Sequence, residues 1–147
     1  MKYLLGAIAA TCMLGSFPVS AWSNQVTAVT RAPPTSADAR YDPQNPFARI
    51  IRGELPADKV YEDVYVLAFL SLDQKAPGHV LVISKTSKAR NIMELPAQDL
   101  VRVMLVAQRI ARAERIALHA DGVVVQQNSG AAAGQTVFHL HVHVVPY

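Results

Sequence analysis

The chain has 147 residues, 51% of them apolar, with 14 basic and 11 acidic side chains and a formal charge of +3. That length supports one ordinary hydrophobic core and excludes two large domains. Apart from Lys2, the basic residues are spread from Arg31 to Arg115 with no long block of like charge, which describes a solvated surface and gives no sign of a nucleic-acid footprint.

Met1-Lys2-Tyr3, the apolar run from Leu4 to Leu14 and the small-residue ending Val19-Ser20-Ala21 have the order of a secretory signal peptide. Cleavage is expected after Ala21, which places the mature protein in the periplasm or outside the cell. The run is shorter than the roughly 20 residues of a membrane span, so no stable span is expected after cleavage. Cys12, the single cysteine, lies inside this leader, and its removal leaves neither disulfides nor a thiolate metal site. Residues 22–44 are rich in Ser, Thr, Ala and Pro, without sustained periodicity, and read as a flexible linker.

A single domain is expected over residues 45–147. Asn45-Pro46 can cap and open a short helix through Arg52, with Phe47, Ile50 and Ile51 on one side and Gly53 as its stop. Lys59 to Glu62 and Val64 to Leu70 read as two strands joined by a tight turn near Asp63. His79 to Ser84 forms a third strand, apolar on both sides and therefore central. Pro96 opens the longest helix, through Leu118, whose apolar face carries Leu100, Val103, Met104, Ala107, Ile110, Ala111 and Ala117. Val123 to Gln127 and Phe138 to Val145 supply two more strands. This order predicts an α+β domain: a five-stranded antiparallel sheet with one long and one short helix, packed on one side of it.

The last strand carries the chemistry. In an extended segment side chains alternate, so His139, His141 and His143 share one face while Leu140, Val142 and Val144 share the other. Imidazole is neutral and nucleophilic near pH 7 yet can be protonated there, so one ring can attack phosphorus while its neighbours bind oxygens and protonate the departing group. Alternating histidines also suit zinc or copper. The upstream loop, Asn128 through Thr136, favours an oxyanion instead: its glycines and alanines let backbone N–H groups approach a phosphate. His119, at the helix end, reads as a capping or solvent residue.

His139-Leu140-His141-Val142-His143-Val144-Val145 resembles the signature of the histidine triad nucleotide hydrolases and transferases. The likeness extends to Phe47 through Pro56, Ala76 through Ile83 and Asn128 through Pro146, and fits best the bacterial members near the purine nucleoside phosphoramidase branch. It implies that His141 is a nucleophile forming a nucleotidyl-histidine intermediate, with His139, His143 and His79 orienting it and contacting phosphate. It further implies that Asn128, Gln135 and Thr136 hold phosphate oxygens, with Thr136 near the leaving group, and that Phe47, Ile50, Phe69 and Leu72 enclose base and sugar. Ser71 stands where relatives commonly carry an Asp that binds the ribose hydroxyls, so Ser71 or nearby Asp73 takes that role. The implied reaction converts a nucleoside phosphoramidate or similar nucleotide conjugate to a nucleoside monophosphate with no metal or cofactor, in a homodimer that continues the sheet across two chains. The alternatives are a dinucleoside polyphosphate hydrolase, for which Gly134-Gln135-Thr136-Val137 is also suited, and a non-catalytic protein holding a nucleotide or metal through the same histidines.

Overall fold

The computed structural model describes residues 40–147. The expected leader, residues 1–21, with Cys12, and the linker residues 22–39 lie outside the described residues. Residues 41–44, expected to belong to the linker, are instead bonded to the domain. The carbonyl of Asp42 accepts from the Asn45 backbone N–H (3.2 Å) and Nδ2 (2.6 Å), and Arg52 Nη1 donates to the Pro43 carbonyl (2.8 Å). The polar composition of this stretch concealed these bonds because each partner lies beyond it in the chain.

Helix α1, Pro46–Ile51, starts where Asn45 Oδ1 accepts the Ala48 N–H at 2.9 Å and ends before Gly53, whose φ of 75° needs no Cβ. Strands β1 (Lys59–Glu62) and β2 (Val66–Leu70) follow. The second begins two residues later than expected because Asp63 Oδ1 accepts the N–H groups of Tyr65 and Val66, both at 2.7 Å. Strand β3 is Val80–Ser84, helix α2 is Ala97–Ala117, β4 is Val123–Gln126 and β5 is His141–Pro146. All five strands pair antiparallel in the order β1-β2-β3-β5-β4, so β3, buried throughout, sits at the centre as expected.

Strand period divides the core in two. Val66, Ala68, Val80, Val82, Val142 and Val144 face α2, where Val103, Val106, Ala107 and Ile110 meet them. The intervening Leu67, Phe69, Leu81 and Ile83 face the other way and pack on Phe47 and Ile50 of α1. The two helices therefore cover opposite faces, which corrects the expectation of helices on one side. The alternation of apolar residues on β2 and β3 required covering on both faces, and α1 supplies the second cover.

The buried stripe of α2 also differs from the expected one: Val106 lies inside, and Met104 is partly exposed at its edge. Glu114 occupies the inward stripe, with both carboxylate oxygens buried and without a hydrogen-bond partner among the described residues. Burial pushes its pKa up from 4.5 to about 7.

The folded chain thus keeps a proton on Glu114 where the unfolded chain has lost it. Ionisation of Glu114 costs nothing below its ordinary pKa of 4.5, and that cost grows as pH rises to about 7. Above that it is on the order of 3 kcal/mol. Replacing Glu114 with Leu is expected to raise stability in urea unfolding at pH 8 by on the order of 2 kcal/mol and to give little gain at pH 4. A gain equal at both pH values would assign the effect to packing rather than charge.

Candidate active site

The face of β5 turned away from α2 carries His141 and His143, whose Cα partners on β3 are Ile83 and Leu81. His79 directly precedes β3, after Gly78 at φ 94°. A Cβ on Gly78 would lie 2.5 Å from Leu118 Cδ1, so conformation and space both call for glycine before this histidine. His139 lies outside the strand, contrary to the expectation that β5 begins at Phe138. The Leu140 N–H donates to the Ala89 carbonyl at 2.8 Å, a loop partner, and ladder pairing starts only at His141. The four imidazoles are nonetheless brought together with their partners.

Donor and acceptor chemistry assigns their tautomers. His139 Nε2 lies 3.1 Å from the Ser84 carbonyl, which only accepts, so Nε2 carries the proton and Nδ1 accepts from the Tyr41 hydroxyl at 2.8 Å. His141 Nδ1 lies 2.8 Å from the His139 carbonyl and must donate. Its Nε2 therefore keeps its lone pair, with no hydrogen-bond partner among the described residues. His79 and His143 form a pair, Nε2 to Nδ1, at 2.9 Å. On its far side His79 Nδ1 meets both the Asp73 carbonyl (3.1 Å) and the Lys75 N–H (3.3 Å), of which it can satisfy one at a time. With His79 Nδ1 donating to Asp73, His143 Nδ1 donates to His79 Nε2 and its other nitrogen is a base; with His79 Nδ1 accepting from Lys75, both tautomers reverse and that nitrogen carries a proton.

All four rings are held neutral. Burial lowers the pKa of His79 and of His141, and takes that of His139 down to about 4. His143 also falls to about 4, chiefly through burial, with repulsion from His141 and His79 whenever they carry a proton, and from Lys75, adding to it.

Beside these rings lies a cleft of about 690 Å³. Phe47, Ile50, Leu55 and Phe69 give it an apolar wall, and Phe47 meets His141 edge-on with ring centroids 5.0 Å apart. Ser71, Asp73, Lys75 and Thr136 add polar groups beside His79, His141 and His143. Leu72 lines the rim but is fully exposed and encloses nothing. Ser71 Oγ donates to the Asp73 carbonyl at 3.0 Å, leaving it lone pairs only for a ligand.

Asn128 and Gln135, expected to bind phosphate, do not line the cleft. Gln135 is buried and fully engaged: Oε1 accepts from the Gly130 N–H (2.8 Å), and Nε2 donates to the carbonyls of Arg90 (2.5 Å) and Val137 (3.0 Å). Asn128 Nδ2 donates to the Ala133 carbonyl, and its Oδ1 accepts from Gln126 at 2.7 Å. Both side chains brace the loop around the one-turn helix Ala131–Ala133, supplying partners to backbone groups that no strand or helix ladder pairs. Sequence reasoning missed Tyr41, which stands in a stretch read as linker, and Lys75 and Leu55. Lys75 had a signal in its position, a charge four residues before His79 in a loop that returns to the sheet. His119 is exposed just past α2 at φ 55°.

A sequence profile of the HIT domain matches residues 52–147. Over 100 residues the chain is 42% identical to the protein named Protein hit of Bacillus subtilis, a match covering 68% of each. It is 37% identical over 111 residues to the adenosine 5′-monophosphoramidase HNT1 of Saccharomyces cerevisiae, covering 76% of this chain and 67% of the yeast protein. Among solved structures, a Hit-like protein involved in cell-cycle regulation from Bartonella henselae superposes with a TM-score of 0.70 at 45% identity, covering 72% of this chain and 80% of that one.

Because the folded rings resist protonation, NMR titration of the imidazole carbons should leave His139 and His143 neutral down to about pH 4. Unfolded imidazoles take protons near their ordinary 6.5, so the share of stability these rings contribute is complete above that pH and declines as pH falls toward 4. Midpoints near 6.5 in the folded protein would contradict the burial argument.

Proposed function

The chain belongs to the HIT domain family, and from that premise we propose that it hydrolyses nucleotide conjugates, attacking the α-phosphate of a nucleoside phosphoramidate through a covalent intermediate on His141. The observation that carries this reading is the His141 tautomer: with Nδ1 donating to the His139 carbonyl at 2.8 Å, the Nε2 lone pair is left for phosphorus beside an apolar cleft.

In the first step His141 Nε2 forms a bond to phosphorus as the bond from phosphorus to the leaving nitrogen breaks. That nitrogen keeps the electron pair and takes a proton from His143 Nε2, in a His79–His143 pair that has taken up one proton with the substrate: His79 Nδ1 donates to the Asp73 carbonyl and His143 Nδ1 to His79 Nε2, so the pair ends the step neutral. Water then attacks phosphorus, gives its proton back to His143, and the histidine–phosphorus bond breaks with its pair returning to His141. The products are an amine and a nucleoside monophosphate. The chain's own imidazoles carry each proton in this scheme, and it routes no step through a metal or cofactor.

Phe47, Ile50 and Phe69 would hold the base against apolar surface, and the Asp73 carboxylate, with Ser71 as acceptor, would take the ribose hydroxyls. Lys75 and Thr136 would meet phosphate oxygens, a role that the engaged amides of Gln135 and Asn128 leave open. The yeast relative, named as an adenosine 5′-monophosphoramidase, supports the same substrate class.

We also read the chain as a homodimer whose sheet continues across β4, an edge strand with Val124 and Val125 both exposed. Light scattering should then give twice the chain mass, and a lysine at Val125 should lower it to one. Residues 1–21 remain our proposed export leader, so the mature protein recovered from the periplasm or medium should begin at Trp22 on N-terminal sequencing.

Intact-mass analysis after brief mixing with adenosine 5′-phosphoramidate should find an added adenylyl group that maps to His141. His141→Ala should lose the adduct and on the order of a thousandfold or more in turnover while still binding AMP. An active His141→Ala protein would overturn the covalent assignment. AMP binding without turnover by the parent would leave a binding protein.

A further inference from the structure

Tyr41 lies upstream of residues 52–147, the stretch the HIT domain profile matches, yet it reaches the triad. Its place is set by the turn that follows it. The Asp42 carboxylate accepts the Gln44 N–H at 2.8 Å, the Asp42 carbonyl accepts from Asn45, and Arg52 holds the Pro43 carbonyl. These bonds tie the segment to the start of α1, whose Phe47 lies edge-on to both His139 and His141 at 6.2 and 5.0 Å.

His139 does not line the cleft, and its ring is 2% exposed. What it offers the reaction is its backbone carbonyl, the acceptor for His141 Nδ1. That carbonyl shares a peptide plane with the Leu140 N–H, which donates to the Ala89 carbonyl, and the ring adds two further anchors to the residue. One is the Ser84 carbonyl, which takes the Nε2 proton; the other is the Tyr41 hydroxyl, which donates to Nδ1. Without the hydroxyl, Nδ1 becomes a buried lone pair without a donor. The ring must then accept a proton, turn away from Ser84 or draw in water, and each of these disturbs His141 by charge or by movement.

We propose that Tyr41 is a positioning residue for the reaction: its hydroxyl locks the neutral Nε2–H tautomer of His139, and through the His139 carbonyl it keeps the His141 Nε2 lone pair directed at the substrate. The segment ahead of the family domain is thereby part of the working site. The kinetic consequence rests on the reading of His141 as nucleophile; the lock itself does not.

The groups facing the His139 ring are Tyr41 from this segment, the Ser84 carbonyl at the end of β3, Phe47 from α1 and His141 from β5. Of these only Tyr41 and His141 titrate. A donor to Nδ1 favours the unprotonated ring, so its removal raises the pH at which His139 takes a proton. A cation formed there opposes any positive charge on His141 and weakens the nucleophile's alignment, so the acid limb of kcat/KM moves to higher pH.

The test uses the full chain and Tyr41→Phe, which keeps the ring and loses the hydroxyl. With adenosine 5′-phosphoramidate, kcat should fall about tenfold, the worth of one buried hydrogen bond, with KM within about twofold. The acid limb should move up, and the NMR titration midpoint of His139 should rise by about one pH unit. Nitrogen-15 shifts of the wild-type protein should independently report the Nε2–H tautomer of His139, a readout that does not depend on the variant folding. Unchanged kcat and an unchanged His139 titration overturn the proposal, as does an Nδ1–H tautomer in the wild type. A fall in kcat with no change in the His139 titration assigns Tyr41 to packing and also overturns it. If the wild type turns over no phosphoramidate, the functional reading fails, while the tautomer and titration of His139 still decide the lock.

Discussion

One hydrogen bond organises the site, from His141 Nδ1 to the carbonyl of His139 two residues before it. A carbonyl has no proton to give, so the bond exists in one sense only, and it leaves Nε2 of His141 with a lone pair rather than a hydrogen. The backbone must be bent at this point for the bond to form. In a regular strand the carbonyl of residue i−2 would be in the ladder; here Leu140 is diverted to Ala89, and β5 begins only at His141. The departure from regular strand is what turns a row of histidines into a nucleophile with a defined tautomer.

Burial serves the same end. Neutral imidazoles are needed for attack and relay, and a site lined by Phe47, Phe69 and Leu81 makes the charged ring costly. The same physics acts with opposite sign across the sheet, where burial of Glu114 raises a carboxyl instead of lowering an imidazole. The histidine side loses stability as pH falls and the Glu114 side as pH rises. The two contributions therefore oppose each other over the mildly acid range.

The sheet separates these environments. Its central strand is buried on both faces, so α2 can complete a conventional core on one side while the other is left for α1, the cleft and the imidazoles. The loop carrying Gln135 illustrates how little of such a site is free to bind. Its amide is consumed by Gly130, Arg90 and Val137, and in being consumed it holds the loop that presents Thr136.

Residue order alone determined the strand alternation that sets His141 and His143 against Val142 and Val144, the helix starts at Asn45-Pro46 and near Pro96, and the five-stranded α+β architecture. These are local properties: side-chain period, capping chemistry and the missing N–H of proline act within a few residues. The positions of His79 beside His143 and of Phe47, Ile50 and Phe69 along one cleft follow from them once the sheet forms. Only the tertiary structure decided which polar groups remain unspent. Asn128 and Gln135 look like phosphate ligands in sequence and prove to be loop braces, Leu72 stands in solvent, α1 crosses to the face opposite α2, and Tyr41, from a stretch that looks like linker, bonds a histidine 98 positions away. A hydrogen-bonding side chain is available or consumed according to what lies within about 3 Å of it, and in this fold those neighbours come from distant parts of the chain.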